Sequence, residues 1–265
     1  MIHRDQLKRL LEFETTPKRI ISLVPSQTEL LVDLGLEASI VGVTKFCVHP
    51  EYLRKEKTIV GGTKAVNMNK IKALKPDIIL CNKEENTQEM VSELETIAAV
   101  HVSDINNLDD CYELIKMYSA LFKIKSKGEQ LISVINNERN VFREKFLNRK
   151  QCKVAYFIWK NPWMVCANHT FVNVMMTEAG FDNVFKKRER YPEVLLDDPL
   201  LNDAEVILLS SEPFPFKEKD KQEFFVKYPN KQVIIIDGEL FSWYGSRLKY
   251  SYKYFGTIFE KLLTS

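Results

Sequence analysis

No apolar run in this sequence reaches the ~18 residues that a membrane span needs, and the opening MIHRDQLKRLLEFETTPKR has no apolar core of a secretory signal. As written, the chain is expected neither to insert into a membrane nor to be exported. A cytoplasmic location is the expectation, or a periplasmic or lipid-anchored one if a signal has been trimmed. A charge excess is missing too: 38 basic side chains stand against 36 acidic, for a net +2. This predicts no nucleic-acid partner, and the densest basic cluster, KKRER at 186–190, contains its own glutamate and reads as a solvated loop. Cysteine pairing is absent. The five cysteines (47, 81, 111, 152, 166) are an odd number without a C-x-x-C spacing, which fits free thiols in a reducing compartment. There is no G-x-S-x-G, no P-loop and no G-x-G-x-x-G, so neither an enzyme nor an intrinsic cofactor is expected.

What the sequence does contain is alternation. RIISLV (19–24) reads as a buried strand, and PSQTELLVDLG as a helix opened by Pro25 and Ser26 and closed by Gly35. SIVGVTKF (39–46), TIVGG (58–62), DIILC (77–81) and VHVSD (100–104) are further strands, with helices at NMNKIKALKPD and from Thr87 to Ala98. From Leu108 the apolar residues 111, 114, 115, 118, 121 and 122 keep helical spacing. After a break near Lys125–Gly128 the spacing resumes at 131, 134, 135, 141, 142 and 146. A second α/β half follows, with strands at 153–159, 205–211 and 232–237, a helix from Thr170 to Ala179 and a closing helix from Ser246. The expected class is α/β: two Rossmann-like lobes bridged by a long helix, with a ligand cleft between them. The expected divisions are 1–107, a bridging helix at 108–150, and 151–265, in a monomer.

In open α/β sheets ligands bind beyond the carboxyl ends of the strands, so the loops after strands are the candidates. They are 25–29, 45–50, 61–64, 82–86, 160–169, 210–216 and 237–247. Two of the three tryptophans, Trp163 and Trp243, lie on them, and Trp159 ends a strand. This aromatic density favours a π-faced organic ligand. Cys47 and His49 would share one side if strand geometry persisted through them. They could be two ligands of a metal site completed by Glu84, Glu85 or His169, a lining without metal, or a packed turn. Cys81, Cys111 and Cys152 read as small buried hydrophobes, and Cys166 lacks a nearby base. His169, just before the Thr170 helix, contacts a ligand or accompanies the N-cap.

PKRIISLVPSQTELLVDLG, VGVTKFCVHPE, NMNKIKALKPDIIL and AGFDNVF, in this order and spacing, resemble the class III, helical-backbone substrate-binding proteins of ABC transporters. The likeness runs from about residue 17 to the C-terminus and is nearest to the cobalamin-binding members, with haem and ferric-siderophore binders as relatives. It implies a two-lobed binding protein for a metal chelate, a corrinoid, haem or ferric siderophore, as part of an uptake system. Phe46 matches a ligand-lining tyrosine, Tyr191 a tryptophan and Arg247 an arginine at the cleft edge. Thr63 and Asn82 stand where cobalamin binders carry tryptophans, and Trp159 and Trp163 could replace that aromatic area. The expected ligand surface is Phe46, Trp163, Tyr191, Trp243 and Tyr244, with Glu84, Glu85 and Arg247 as polar partners and Cys47 or His49 as an axial ligand. The family docks on a permease through one glutamate per lobe; the matching positions are Asn69 and Asp197, the first flanked by Lys70 and Lys72. The alternative expectation is direct metal-ion binding, as in a metallochaperone, through Cys47, His49 and Glu84 or Glu85.

Overall fold

The computed structural model describes residues 1–146 and 150–264. They form two compact units, one of residues 1–137 with 243–249 and the other of 138–242 with 250–265. The last part of the expected 108–150 bridge, residues 147–149, lies outside the described residues.

The first unit opens with an antiparallel hairpin, β1 (Ile2–Arg4) and β2 (Leu10–Glu12), which the charged N-terminal sequence had not suggested. Next come β3 (Ile20–Ser22), α1 (Pro25–Asp33), β4 (Ile40–Thr44), α2 (Leu53–Glu56), β5 (Thr58–Gly61) and α3 (Met68–Ala73). They are followed by β6 (Ile78–Asn82), α4 (Gln88–Leu94), β7 (Ala99–Ser103) and α5 (Leu108–Leu121). Strands β3 to β7 form one parallel sheet in the order β5-β4-β3-β6-β7. Its core joins Ile21, Val60, Ile79 and Val100 from the strands, and Leu23 just after β3, to Ile71, Met90 and Leu94 from the helices. As expected, Gly35 stops α1: it takes φ +76, the left-handed region where a side chain costs energy. The hairpin guards the β7 edge. The Asp5 carboxylate accepts the Val102 N–H at 3.1 Å and the Arg9 N–H and Nε–H at 2.9 and 2.7 Å, occupying an edge donor that would otherwise be open to another strand.

Helix α5 is capped by Asn107 and Asp110 in a reciprocal capping box and buries the stripe expected of it, from Cys111 to Leu121. The helical break falls at Phe122–Ile124 rather than at Lys125–Gly128, because Lys123 turns left-handed (φ +56) and α6 (Lys125–Phe146) begins directly after. The α6 seam is narrower than its apolar spacing suggested: Ile135, Phe142 and Phe146 are buried, whereas Val134 and Val141 face solvent.

In the second unit come β8 (Cys152–Trp159), β9 (Met164–Val165), α7 (Phe171–Glu178), β10 (Phe181–Asn183), α8 (Leu200–Asp203) and β11 (Val206–Ser210). They are followed by α9 (Glu218–Lys227), β12 (Gln232–Ile236), α10 (Glu239–Ser242) and α11 (Leu248–Thr264). The parallel strands run in the order β10-β8-β11-β12, with β9 antiparallel on β8. Their core is aromatic as well as aliphatic: Phe157, Phe185, Phe216 and Phe224 pack with Val165, Leu201, Ile207 and Leu209. Among the described residues no helix is long and apolar enough to cross a membrane.

Candidate functional site

Strand order decides where each sheet can receive a ligand. In the first unit the chain winds from β3 outward to β4 and β5, then crosses back to β6 and β7. The loops after β3 and β6 therefore leave in opposite directions and open a crevice at their carboxyl ends. The second sheet reverses between β8 and β11, which places loops 160–163 and 211–217 at its crevice.

At the first switch point the start of α1 is polar yet buried: Ser26, Gln27, Thr28 and Glu29 are all enclosed. Burial without partners would cost ~1–3 kcal/mol per group, and the structure supplies partners instead. Gln27 Nε2 donates to Ser103 Oγ (2.6 Å) and Tyr244 Oη (3.0 Å), while its Oε1 accepts Tyr118 Oη–H (2.6 Å). Asn82 Nδ2 donates to Ser103 Oγ (3.0 Å), and Asn82 Oδ1 accepts the Glu84 and Glu85 N–H groups (2.9 and 3.2 Å). Asn86 in turn accepts the Asn82 N–H (2.8 Å) and donates to the Thr63 carbonyl (2.7 Å). Asn82 and Tyr244 thus shape the crevice from beneath; both are buried, which corrects their expected place on its surface.

Cys47 is a second correction. Strand geometry ends at Thr44, and a tight turn, Cys47 N–H to Thr44 O at 3.1 Å, rotates the thiol inward. There Sγ lies 3.1 Å from Thr28 Oγ1 and 3.3 Å from Thr44 Oγ1, fully buried, and burial pushes its pKa up. It does not reach the rim. Phe46, by contrast, is 47% exposed, with the Lys45 ammonium 5.0 Å from its ring centre. His49 is half-buried and meets Trp243 edge-on at 5.4 Å. The same indole carries the Arg247 guanidinium 4.9 Å from its ring centre, and that guanidinium is held by both Glu29 oxygens at 2.8 and 2.9 Å. Arg247 and Trp243 are therefore buried, the arginine engaged with Glu29 rather than offered to solvent. Burial raises the Glu29 pKa, opposed by Arg247. On the neighbouring loop Glu84 is exposed and Glu85 half-buried; burial raises the Glu85 pKa against the pull of Lys64.

In the second unit Trp163 is half-buried and packs against the core. It stacks on Phe216 at 6.0 Å, meets Phe157 and Phe224 edge-on, and carries the Lys160 ammonium over its ring at 5.4 Å. Lys160 itself pairs with Asp220 (2.8 Å) and Glu223. The exposed tryptophan is Trp159, at the carboxyl end of β8, resting edge-on against Phe214. Tyr191 is half-buried beneath the Arg190 guanidinium. His169 is exposed, and its Nδ1 lies 2.6 Å from Glu189 Oε2. The N-cap of α7 is Thr170, whose hydroxyl accepts the Asn173 N–H at 3.1 Å.

No group of three or more His, Cys, Asp or Glu side chains poised to hold a metal ion occurs among the described residues. Cys47, His49, Glu84 and Glu85 are not such a group. Sequence reasoning had named Gln27 and Glu29 only as part of the candidate loop 25–29, and Glu189 only as the acid within the basic cluster 186–190, without a role for any of them; the signal for the first two was four consecutive polar residues, SQTE, opening an otherwise apolar helix.

The chain belongs to the periplasmic binding protein family, whose profile matches residues 20–231. A vitamin B12-binding protein of Yersinia pestis is 24% identical over 195 residues, covering 73% of this chain and 69% of that protein. The crystal structure of the periplasmic vitamin B12 binding protein BtuF of Vibrio cholerae superposes with a TM-score of 0.78 at 21% identity, over 94% of this chain and 99% of that one. A periplasmic heme binding protein from Pseudomonas aeruginosa gives a TM-score of 0.78 at 18% identity, covering 92% of each chain. At these identities the solved structures share the fold. The family is one of binding proteins and not of enzymes, as expected.

The expectation of a cytoplasmic protein is corrected by this family, which is periplasmic. The thiols had misled because their number says nothing about their accessibility. Cys47, Cys81, Cys111 and Cys166 are buried, and burial pushes Cys81 and Cys111 up to about 12, so little thiolate is available for oxidation in any compartment. A thiol-titrating disulfide reagent should therefore modify at most the half-buried Cys152 in native protein and all five cysteines after denaturation. Rapid native reaction of two or more would refute this burial.

Proposed function

We propose that the protein binds an organic metal chelate, a corrinoid, haem-like molecule or ferric siderophore, and presents it to an ABC permease. The observation that carries this reading is the character of the carboxyl edges. They expose aromatic surface, Phe46 in one unit and Trp159 in the other, and the described residues offer no cluster able to hold a bare ion. A ligand that brings its metal inside a flat or apolar cage satisfies both facts. Relatives that bind vitamin B12 and heme support it. Within the first unit Phe46, His49, Thr63 and Glu84 are the proposed contacts, and within the second Trp159, His169 and Tyr191. Asn82, Trp163, Trp243, Tyr244 and Arg247 hold those surfaces in shape. On the permease side Asn69 and Asp197 are both exposed, so docking would use one carboxylate, with Lys70 beside the uncharged position.

Titration of the purified protein with aquocobalamin, haemin and ferric siderophores tests the reading. At least one should change the absorbance of the chelate and raise the melting temperature, because a ligand bound only by the folded state stabilises it. If none does either, the reading falls.

A further inference from the structure

His169 and Glu189 sit on two segments tied together by backbone hydrogen bonds. Asn168 N–H donates to Arg188 O (3.0 Å), Arg190 N–H to Asn168 O (2.8 Å) and Ala167 N–H to Arg190 O (2.7 Å). Within this frame His169 and Arg190 both take φ +55, a left-handed conformation that a non-glycine residue adopts at a cost and that the pairing holds in place. Both segments lie on the carboxyl side of the second sheet: α7 starts the crossover that leaves β8, and 188–190 follows the carboxyl end of β10. The His169 side chain is 68% exposed, and Glu189 engages Nδ1 at 2.6 Å. A carboxylate there takes the Nδ1–H bond, fixes the tautomer and leaves the lone pair on Nε2, which has no hydrogen-bond partner among the described residues. This is the second-sphere arrangement that orients histidines toward metals.

One imidazole cannot retain a bare ion, and among the described residues His169 belongs to no group of three or more metal-ligating side chains. It can complete the shell of a metal that arrives already caged. Resting on the chelate-binding reading above, we propose that His169 Nε2 is the axial ligand to the metal of the bound chelate. The ligand class then narrows to planar chelates with an open or exchangeable axial position, a haem or an aquo-corrinoid. A ferric tris-bidentate siderophore, whose six positions are filled, is excluded. The step is a ligand exchange: the Nε2 lone pair forms the new bond, a metal-bound water leaves, the Nδ1 proton stays with the histidine–carboxylate pair, and no electron moves.

Haemin, aquocobalamin and a ferric tris-hydroxamate are titrated into wild type, His169→Asn and Glu189→Gln, with binding followed by tryptophan quenching and coordination by visible absorbance. Asparagine accepts the left-handed backbone, so the loop survives the substitution. Wild type should show a nitrogen-ligated spectrum with haemin or aquocobalamin. His169→Asn should lose that spectrum, and Glu189→Gln should keep it while binding roughly 10–100-fold more weakly. Quenching with an identical spectrum in wild type and His169→Asn overturns axial ligation and leaves chelate binding standing. Binding of the tris-hydroxamate alone does the same. Binding of none of the three overturns both.

Discussion

Replacing Arg247 with methionine should destabilise the protein by ~3–5 kcal/mol, read as a shift of the urea midpoint, because it strands the buried Glu29 carboxylate. The pair is enclosed on both sides, each residue being only 8% exposed, and its geometry is bidentate. Burial alone already raises the Glu29 pKa, and Arg247 is what opposes the rise. Without it the carboxyl is pushed further up. The sign of the pH dependence follows. A folded-state pKa raised above the unfolded value means that the native state holds the proton more tightly, so the variant should lose stability as pH rises through the window and regain it on acidification. The double variant Glu29→Met with Arg247→Met removes both charges and should recover most of the loss. A single-variant cost below ~1 kcal/mol would show that the pair behaves as a surface salt bridge. Because the guanidinium also covers Trp243, and Trp243 backs His49, the same change should loosen the surface proposed for the ligand in the first unit.

The second large effect concerns His101, on β7 behind the N-terminal hairpin. Its ring is closed off against Tyr118 at 5.2 Å, and neither ring nitrogen has a hydrogen-bond partner among the described residues. Burial lowers its pKa to about 4 against the attraction of Asp5. In the unfolded chain a histidine titrates near 6.5, so between these values the unfolded state binds more protons. Stability is therefore complete above the unfolded value and falls as pH drops through the window to the folded one. The span of about 2.5 pH units corresponds to ~3 kcal/mol. Carboxylates titrate in part of the same window, which makes the difference between wild type and His101→Phe the quantity to measure. Wild type should lose about that much more stability than the variant on going from neutral pH to pH 4. Parallel curves for the two proteins would mean that His101 is protonated in the native state or that the hairpin opens readily.

Most of the fold could be read from the residues. Alternation of short β-branched runs with helical spacing named both sheets, and local signals marked the limits of single elements: Gly35 after α1, the stripe from Cys111 to Leu121 in α5, Thr170 before α7. The hairpin at residues 2–12 escaped because its strands are three residues each and two of their apolar residues, Ile2 and Leu10, face outward. The break before α6 was misplaced because Lys123, and not a glycine or proline, makes the turn.

The candidate site was legible only as a set of loops. Its loops follow strands that the pattern marks, so Phe46, Glu84 and His169 could be listed as candidates, whereas Tyr191 was a candidate only through the family resemblance. Which way a side chain points within a loop is another matter. Cys47 turns inward because two threonines from β4 and α1 meet its sulfur, and Arg247 is claimed by Glu29 from a distance of 218 residues along the chain. Trp163 lays one side against an aromatic core and is half-buried, while Trp159, four residues earlier, is exposed. The sequence by itself determined the class of fold, the helices and strands, and the list of loops, because hydrophobic periodicity and capping are local. Tertiary structure alone decided which polar residues are partners of one another and which stand exposed at the carboxyl edges, because that choice depends on burial and on groups brought together from remote parts of the chain.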